Sequence, residues 1–119
     1  MNFDYYKYSA FISYSHADSK WADWLHRSLE KFSIPKSLRK EKNLDLPKSL
    51  YPIFRDREEL PTASALGEHI TKALIASRCL IVICSPNAAQ SEWVNEEVRI
   101  FKSLGREDRV LCLIVDGEP

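Results

Sequence analysis

The pattern of apolar and polar positions predicts short strands separated by amphipathic helices. Four β-rich runs stand out, namely residues 8–14 (YSAFISY), 51–54 (YPIF), 78–84 (RCLIVIC) and 109–115 (RVLCLIV). Their length and apolar content are typical of strands. The last two runs are apolar almost without interruption, which is expected of parallel strands that are buried on both faces. We therefore expect four strands, of which the last two are fully buried.

Three helices are predicted between these strands, each with one apolar face towards a core. Capping residues indicate where these helices begin and end. The first helix begins at Asp18 or Ser19 and ends near Phe32, and the second begins after Ser64. The third begins at Ser91 and ends near Leu104, with Gly105 as its stop. The predicted apolar faces are Trp21, Leu25, Leu29 and Phe32 in the first helix, and Leu66, Ile70, Ala73, Leu74 and Ser77 in the second.

Three segments are predicted to be irregular. Residues 33–50 contain Pro35 and Pro47 and show no sustained period, which indicates a long surface loop. Residues 55–64 form a charged loop, and residues 85–87 (SPN) form a turn. The order β-α-β-α-β-α-β predicts an α/β fold in which a parallel sheet carries helices on both faces. With 119 residues, of which 45% are hydrophobic, the chain suits one folded domain.

Composition excludes several classes of partner. The 17 Lys and Arg residues balance 17 Asp and Glu residues, so the basic excess expected for binding to nucleic acid or to an anionic membrane is absent. No apolar run approaches the length of a membrane span, and the first residues show no secretory hydrophobic region, so we expect neither a span nor a signal peptide. Three cysteines without a C-x-x-C pair indicate free thiols in a reducing cytoplasm. The three histidines lack metal-ligand spacing, so we expect no metal.

One glutamate breaks the pattern of the third predicted helix. At about 100° per residue, Glu97 falls within the apolar arc, beside Trp93 one turn earlier, whereas the other charged residues fall opposite. Burial of a carboxylate costs free energy unless the group is paired, hydrated or functional, and it raises the pKa. From the pattern alone, a buried ion pair, a glutamate that reaches solvent at the helix start and a functional carboxylate all remain open.

Position in the fold favours a functional carboxylate. In parallel α/β sheets, helices begin at the carboxyl edge of the strands, and ligands bind at that edge. Glu97 lies in the second turn of its helix and therefore stays near this edge. The loops at residues 13–19, 55–64 and 85–87 open on the same edge. We expect these four segments to converge on one cleft.

Three segments resemble the motifs of TIR domains, in the order in which that family has them. They are residues 8–15 (YSAFISYS), Arg55-Asp56 with the loop through Pro61 and Leu66, and Ser85-Pro86 followed by residues 91–97 (SEWVNEE), which is similar to the family's S-x-W-x-x-x-E signature. The resemblance extends over almost the whole chain. It is nearest to bacterial TIR domains that stand at the N-termini of larger proteins.

The resemblance implies a flavodoxin-like parallel sheet of order 2-1-3-4, with the family's fifth strand missing, and NAD⁺ cleavage or homotypic signalling assembly as the activity. In enzymatic members the glutamate of the W-x-x-x-E motif is essential, and it matches Glu97. NAD⁺ is then the substrate and no separate cofactor is needed. Other TIR domains are then the partners, and self-association activates the enzyme in bacterial immune or stress signalling. Consistently, the sequence contains no G-x-G-x-x-G fingerprint of dinucleotide-binding dehydrogenases.

Eight further residues are candidates for contact with the substrate. They are Phe11, Ser13, Tyr14, Ser15, His16, Arg55, Asp56 and Trp93. Phe11 and Trp93 have core packing as their alternative role. Arg55 either binds a phosphate bidentately or pairs with Asp56 or Glu58 in a solvated charge cluster, and we favour the cluster.

Two other functions share the expected fold. A TIR–TIR interaction module without chemistry is supported by the charged loop at residues 55–64 and by Ile75, which lies on the polar side of its helix. A phospho-acceptor receiver domain needs an acidic cluster after the first strand and a lysine after a fifth strand. Only Asp18 lies near the first strand, so we set the receiver aside.

Two features depart from the family pattern. The loop after the second strand carries Pro61-Thr62 where the family usually has Pro-Gly, and threonine tolerates positive φ less well than glycine does. The sequence also stops after four predicted strands. We therefore expect the fourth strand to form an exposed apolar edge, and residues 1–119 to be a TIR domain that belongs to a longer protein or is completed by partners.

Overall fold

The computed structural model describes residues 6–33, 35, 49–56 and 67–115. The elements in chain order are β1 (Tyr8–Ser13), α1 (Ser19–Lys31), β2 (Ile53–Arg55), α2 (Glu68–Ile75), β3 (Ser77–Cys84), α3 (Pro86–Gln90), α4 (Glu92–Ser103) and β4 (Val110–Ile114). Short 3-10 turns precede α1 (His16–Asp18) and β4 (Glu107–Arg109). The predicted alternation of strands and helices is confirmed.

The four strands form one parallel sheet in the order β2-β1-β3-β4, as the resemblance implied. In the register, Ile12 of β1 lies between Arg55 of β2 and Ile81 of β3. Parallel neighbours need crossover connections, which the helices supply. Because all strands run in the same direction, β1, β2 and β3 end at one edge of the sheet, and we call this the carboxyl edge.

Apolar side chains pack on both faces of the sheet, so the predicted layers are confirmed. Alternate residues of a strand point to opposite faces. Phe11 therefore joins one cluster with Leu74 of α2 and Phe101 of α4, whereas Ile12 joins a second cluster with Ala22 of α1. The sheet thus separates an α2–α4 face from an α1 face.

The buried face of α1 differs from the predicted one. Ala22 is fully buried, and Leu25 and Leu29 pack on the same cluster, but Trp21 and Phe32 are 46% and 53% exposed. The apolar residues of α1 surround more of the helix than one face can bury. The small Ala22 allows close approach to the sheet, so the helix is rotated away from the larger side chains.

Serine side chains cap helical starts at the carboxyl edge. Ser15 caps the 3-10 turn, because its Oγ accepts a hydrogen bond from the Ala17 N–H at 3.4 Å. Asp18 holds the N-cap position of α1, so the predicted start of this helix is confirmed. The prediction that its side chain caps the helix is wrong, because that side chain makes no capping hydrogen bond. Ser91 caps α4 as predicted, accepting from the Val94 N–H at 3.2 Å.

The segment at residues 85–87 is more regular than predicted. Instead of a turn, it begins the short helix α3, and Ser85 Oγ accepts a hydrogen bond from the Ala88 N–H at 3.0 Å. Pro86 suits the first helical position, where no N–H is needed. Gly105, the predicted stop of α4, has φ of 79°, a left-handed conformation that costs glycine little.

Three strand predictions need correction. β2 begins at Ile53, two residues later than predicted. β4 is not fully buried, because it lies at the edge of the described sheet, where Leu111 and Ile114 are 53% and 47% exposed. This exposure agrees with the expected apolar edge. Ser77 is not on the face of the second helix but begins β3, and its Oγ donates to the Ala73 carbonyl at 2.6 Å.

Several predictions lie outside the described residues. They concern the loop at residues 57–64, Pro61-Thr62, the cap at Ser64, Leu66, and residues 34 and 36–48 of the long loop. At the ends of that loop, Ser33 and Ser49 form an isolated antiparallel bridge. In the described part of the chain, no helix is long and apolar enough to cross a membrane.

Candidate functional site

Glu97 lies at the carboxyl edge, in the second turn of α4, with its side chain turned towards β1. It is only 5% exposed, so the burial predicted from the helical pattern is confirmed. The hydroxyl of Ser13, the last residue of β1, donates to Glu97 Oε1 at 2.7 Å. Ser13 is itself fully buried. A buried carboxyl group with a hydroxyl partner therefore joins α4 to the end of the central strand.

The environment of Glu97 favours the protonated form. The pKa of Glu97 is raised to about 8, chiefly by burial and in smaller part by the nearby carboxylate of Asp56, whereas the hydrogen bond from Ser13 opposes the shift. Desolvation dominates because the charged form loses its hydration inside the protein. Among the described residues, no cation forms an ion pair with Glu97, so the buried ion pair left open by the sequence is absent there. A strongly shifted carboxyl group at a ligand-binding edge is a candidate catalytic group.

Asp56 and Tyr14 complete the edge beside Glu97. Asp56 directly follows Arg55, which pairs with Ile12, and Ser13 directly follows Ile12. Asp56 and Ser13 therefore both stand where neighbouring strands end. The Tyr14 hydroxyl donates to the Asp56 carbonyl at 2.7 Å. This bond ties the segment after β1 to the segment after β2. The structure thus brings together the ends of both strands, as predicted.

Arg55 lies on the α1 face of the same edge. Its side chain is 6% exposed, and its Nη2 donates to Asp23 Oδ1 of α1 at 3.3 Å. The guanidinium carbon lies 6.0 Å from the centroid of the Tyr14 ring. The favoured prediction placed Arg55 in a charge cluster exposed to solvent. That prediction is wrong, because the Arg55 side chain is buried and pairs with Asp23. Glu58, one of the predicted partners, lies outside the described residues.

A recess opens beside Arg55 on this face, and we call it the α1 cleft. Its volume is about 350 Å³, and it is lined by Tyr14, His16, Ser19, Lys20, Asp23 and Arg55. The rings of Tyr14 and His16 lie 5.8 Å apart. Lys20 and Asp23 were not predicted as site residues, because on the sequence they are ordinary members of the polar side of α1.

The remaining candidates are distributed around the edge. Ser15 caps the 3-10 turn, and His16 is exposed in the α1 cleft. Trp93 is partly buried, one turn before Glu97 on α4. Phe11 lies apart, in the core, where its fully buried ring stacks on Phe54 with centroids 5.0 Å apart. In this arrangement Phe11 has packing, its alternative role, and presents no surface to a ligand.

A second buried contact, which the sequence did not indicate, joins two loops of the edge. The Ser85 hydroxyl donates to Asp18 Oδ2 at 2.5 Å, and both residues are at least nine-tenths buried. The Asp18 side chain, which makes no capping hydrogen bond to α1, is thus used in a contact between two loops. Across the described residues, no group of three or more His, Cys, Asp or Glu side chains is placed to hold a metal ion.

Comparison with known proteins agrees with this architecture. The TIR domain family model matches residues 10–119. The NAD(+) hydrolase ApTIR of an Actinoplanes species is 35% identical over 113 residues, which are 94% of this chain and 14% of that protein. This chain therefore spans only a small part of that relative. The TIR domains of the activated Roq1 resistosome, which recognises the pathogen effector XopQ, superpose with a TM-score of 0.56 at 21% identity, over 95% of this chain and 59% of that chain. This second likeness shows the fold. By the family match and the shared fold, the chain belongs to the TIR domain family.

Proposed function

We propose that this chain cleaves NAD⁺ between nicotinamide and ribose, with Glu97 as the catalytic residue. The observation that carries the proposal is the 5% exposed carboxyl group at the carboxyl edge, held by Ser13 at 2.7 Å. The similarity to a protein named NAD(+) hydrolase supports the same substrate. NAD⁺ is the substrate of this reaction, and no separate cofactor takes part.

The chemistry fits a single buried carboxylate. Nicotinamide leaves with the electron pair of the bond between C1′ and the ring nitrogen, which neutralises its positive charge and leaves an oxocarbenium-like ribosyl group. Ionised Glu97 stabilises this developing charge and accepts hydrogen bonds from the ribose hydroxyls. Water then bonds to C1′ and releases a proton, which yields ADP-ribose. In a buried setting the carboxylate acts more strongly than in water, because solvent screens it less.

The test of this proposal is nicotinamide release by Glu97→Gln, measured by chromatography with concentrated protein and NAD⁺. We expect a loss of about 100-fold or more, since the substitution removes the charge that faces the transition state. Glu96→Gln is the matched control, because Glu96 is the neighbouring glutamate but forms an ion pair with Arg99 on the other side of α4. The control should stay within about twofold of the parent.

Thermal unfolding of both variants checks that they fold. Release by folded Glu97→Gln at the rate of the parent would remove Glu97 from the mechanism. The same loss in Glu96→Gln would show that the helix, and not the buried carboxylate, is what matters.

We also propose that self-association activates the enzyme, and that it works in bacterial immune or stress signalling in the cytoplasm. Assembly is supported by the likeness to TIR domains of an activated resistosome and by Ile75 of α2, which is 46% exposed. A cytoplasmic location is supported by the three cysteines, all of which are free thiols.

A further inference from the structure

We propose that Asp18 is a positioning residue for Glu97, and that it acts through the hydrogen bond that it accepts from Ser85. The catalytic role of Glu97 rests on the proposed function, whereas the position of its carboxyl group does not. The inference comes from three features of the carboxyl edge. They are two buried bonds between the same chain segments, the fixed place of Asp18, and the helices that connect Ser85 to Glu97.

Two buried hydrogen bonds join the same two segments of the chain. One segment runs from the end of β1 to the start of α1, and the other runs from the end of β3 into α4. Ser13 donates to Glu97 at 2.7 Å, and Ser85 donates to Asp18 at 2.5 Å. Each of these four residues is at most 9% exposed. The two bonds therefore close a ring of chain, in which each bond limits the movement that the other permits.

Asp18 is held firmly on its own side of this ring. Its N–H donates to the Ser15 carbonyl at 2.8 Å, and it stands at the N-cap position of α1. Four residues later, Ala22 is fully buried and belongs to the core on the α1 face. The carboxyl group is thus a fixed acceptor for Ser85. Burying it costs desolvation energy, and its retention fits a role in specifying one arrangement of the two segments.

The helices α3 and α4 connect Ser85 to Glu97. Ser85 Oγ also accepts a hydrogen bond from the Ala88 N–H at 3.0 Å, where α3 begins. The side chain of Asn95, in the first turn of α4 and two positions before Glu97, donates to the Ala89 carbonyl of α3 at 3.3 Å. The two helices are therefore hydrogen-bonded to each other close to Glu97, and Asp18 fixes the start of the first one.

The carboxyl group of Glu97 should respond when this link is lost. Burial is the main cause of its pKa of about 8, Asp56 after β2 is a smaller cause, and the hydrogen bond from Ser13 of β1 opposes both. If α3 and α4 gain freedom, water reaches the carboxyl group more often, and this hydration lowers the pKa. The pKa of Glu97 therefore reports its position, and a purely structural role of Asp18 would leave it unchanged.

The experiment measures the pKa of Glu97 by NMR with isotope-labelled glutamate, from about pH 5 to about pH 10. The resonance of Glu97 is the one that disappears in Glu97→Gln. Asp18→Ala removes the acceptor but keeps the Ser85 hydroxyl at the start of α3. We expect the pKa of Glu97 in this variant to fall by about one pH unit. Asp18→Asn keeps an acceptor oxygen in the same place, so Glu97 should titrate there as in the parent.

Ser77→Ala is the matched control for loss of a buried hydroxyl. Ser77 lies on the same strand as the residues before Ser85, at the opposite edge of the sheet, and its hydroxyl donates to the Ala73 carbonyl at 2.6 Å. This variant should lose stability in urea and leave the pKa of Glu97 unchanged. Ser85→Ala breaks the proposed link from the other side and should lower the pKa as Asp18→Ala does. The test therefore does not depend on the folding of one variant.

Three results would overturn the inference. They are a pKa of Glu97 that neither Asp18→Ala nor Ser85→Ala lowers, a shift in Asp18→Asn as large as in Asp18→Ala, and the same shift in Ser77→Ala. Nicotinamide release by the parent separates the two proposals. Release without a lowered pKa in the variants defeats only the positioning role, whereas a lowered pKa without release by the parent defeats only the proposed enzyme.

Discussion

At the scale of single residues, the buried carboxyl group of Glu97 makes folding depend on pH. Its ordinary pKa is 4.5, and burial raises the pKa in the folded chain to about 8. Between these two values the folded chain keeps a proton that the unfolded chain has released. A rise in pH across this window therefore favours the unfolded chain. The group is tolerated at low pH and destabilises the fold increasingly up to about pH 8.

Glu97→Gln should consequently stabilise the fold at high pH. We expect the free energy of unfolding to exceed that of the parent by on the order of a few kcal/mol above about pH 8, and the difference to shrink towards zero near pH 4.5. Urea unfolding at about pH 5 and about pH 9 measures both ends of the window. Glu96→Gln should show no such gain, because Arg99 holds the pKa of Glu96 below its ordinary value. An equal gain in the free energy of unfolding at both pH values would show that the raised pKa of Glu97 is not its cause.

The same proton should shape the pH dependence of catalysis. The ionised form of Glu97 is the one that stabilises positive charge, and with its pKa at about 8 the free enzyme holds mainly the protonated form at neutral pH. We expect kcat/KM for NAD⁺ to rise about tenfold per pH unit below pH 8 and to level off above it. Initial rates of nicotinamide release at low NAD⁺ concentration give this profile. A flat profile across the window would mean that another group limits the reaction.

Some residue-scale features were visible in the sequence and others were not. The helical period placed Glu97 among apolar residues, and its burial followed. Its partner Ser13 is 84 positions away, and no local pattern joins them. The contact of Arg55 with Asp23 spans 32 positions and was missed for the same reason. Which side chains pair depends on the position and rotation of each helix on the sheet, and periodicity alone does not determine either.

At the scale of elements, α1 shows where periodicity fails. Its apolar residues include Trp21, Ala22 and Trp24, and a helical wheel gives most weight to the largest side chains. The structure buries Ala22 and leaves the two tryptophans about half exposed, in contact with each other at 6.0 Å between ring centroids. Close packing of the helix backbone against the sheet therefore decides the buried face, rather than burial of the largest side chains. In α4 the apolar Val94 and Phe101 are buried together with Glu97, so the period of this helix does indicate the face that meets the core.

Ser91→Ala should test the start of α4, the element that carries Glu97. Loss of the hydrogen bond from the Val94 N–H should lower the free energy of unfolding by about 1 kcal/mol. Ser103→Ala is the control at the other end of α4, where the exposed hydroxyl donates to the Ile100 carbonyl, and it should change stability by less than about 0.5 kcal/mol. Urea unfolding at fixed pH compares the two. Equal losses would mean that Ser91 does not act as a cap.

At the scale of the whole molecule, the order of the strands was more predictable than their environment. Alternation of strands and helices, together with three motifs in family order, led to the sheet order that the structure has. The apolar run of β4 suggested full burial, yet Leu111 and Ile114 are exposed. The same apolar sequence occurs on central strands, which are buried, and on edge strands, which are partly exposed. Its place in the sheet decides between them.

Self-association should appear as a dependence of activity on protein concentration. If assembly activates the enzyme, nicotinamide released per mole of protein should rise over a hundredfold range of concentration, in step with the assembled fraction seen by sedimentation. Ile75→Lys places a charge on the exposed position of α2. This variant should lower the assembled fraction and the nicotinamide released per mole of protein together. Constant specific activity across that range would show that one domain acts alone. Loss of activity in Ile75→Lys without loss of assembly would exclude this surface.

The exposed side of β4 has a practical consequence for such measurements. In the described part of the sheet, β4 has a neighbouring strand on one side only, and its outer edge with Leu111 and Ile114 offers a template on which strands of other molecules can stack. Such stacking produces sheet-rich particles that bind amyloid dyes, whereas docking of intact domains leaves the circular dichroism spectrum unchanged. Light scattering alone reports both as growth. Dye binding and spectroscopy on the same samples tell productive assembly apart from precipitation along this rim.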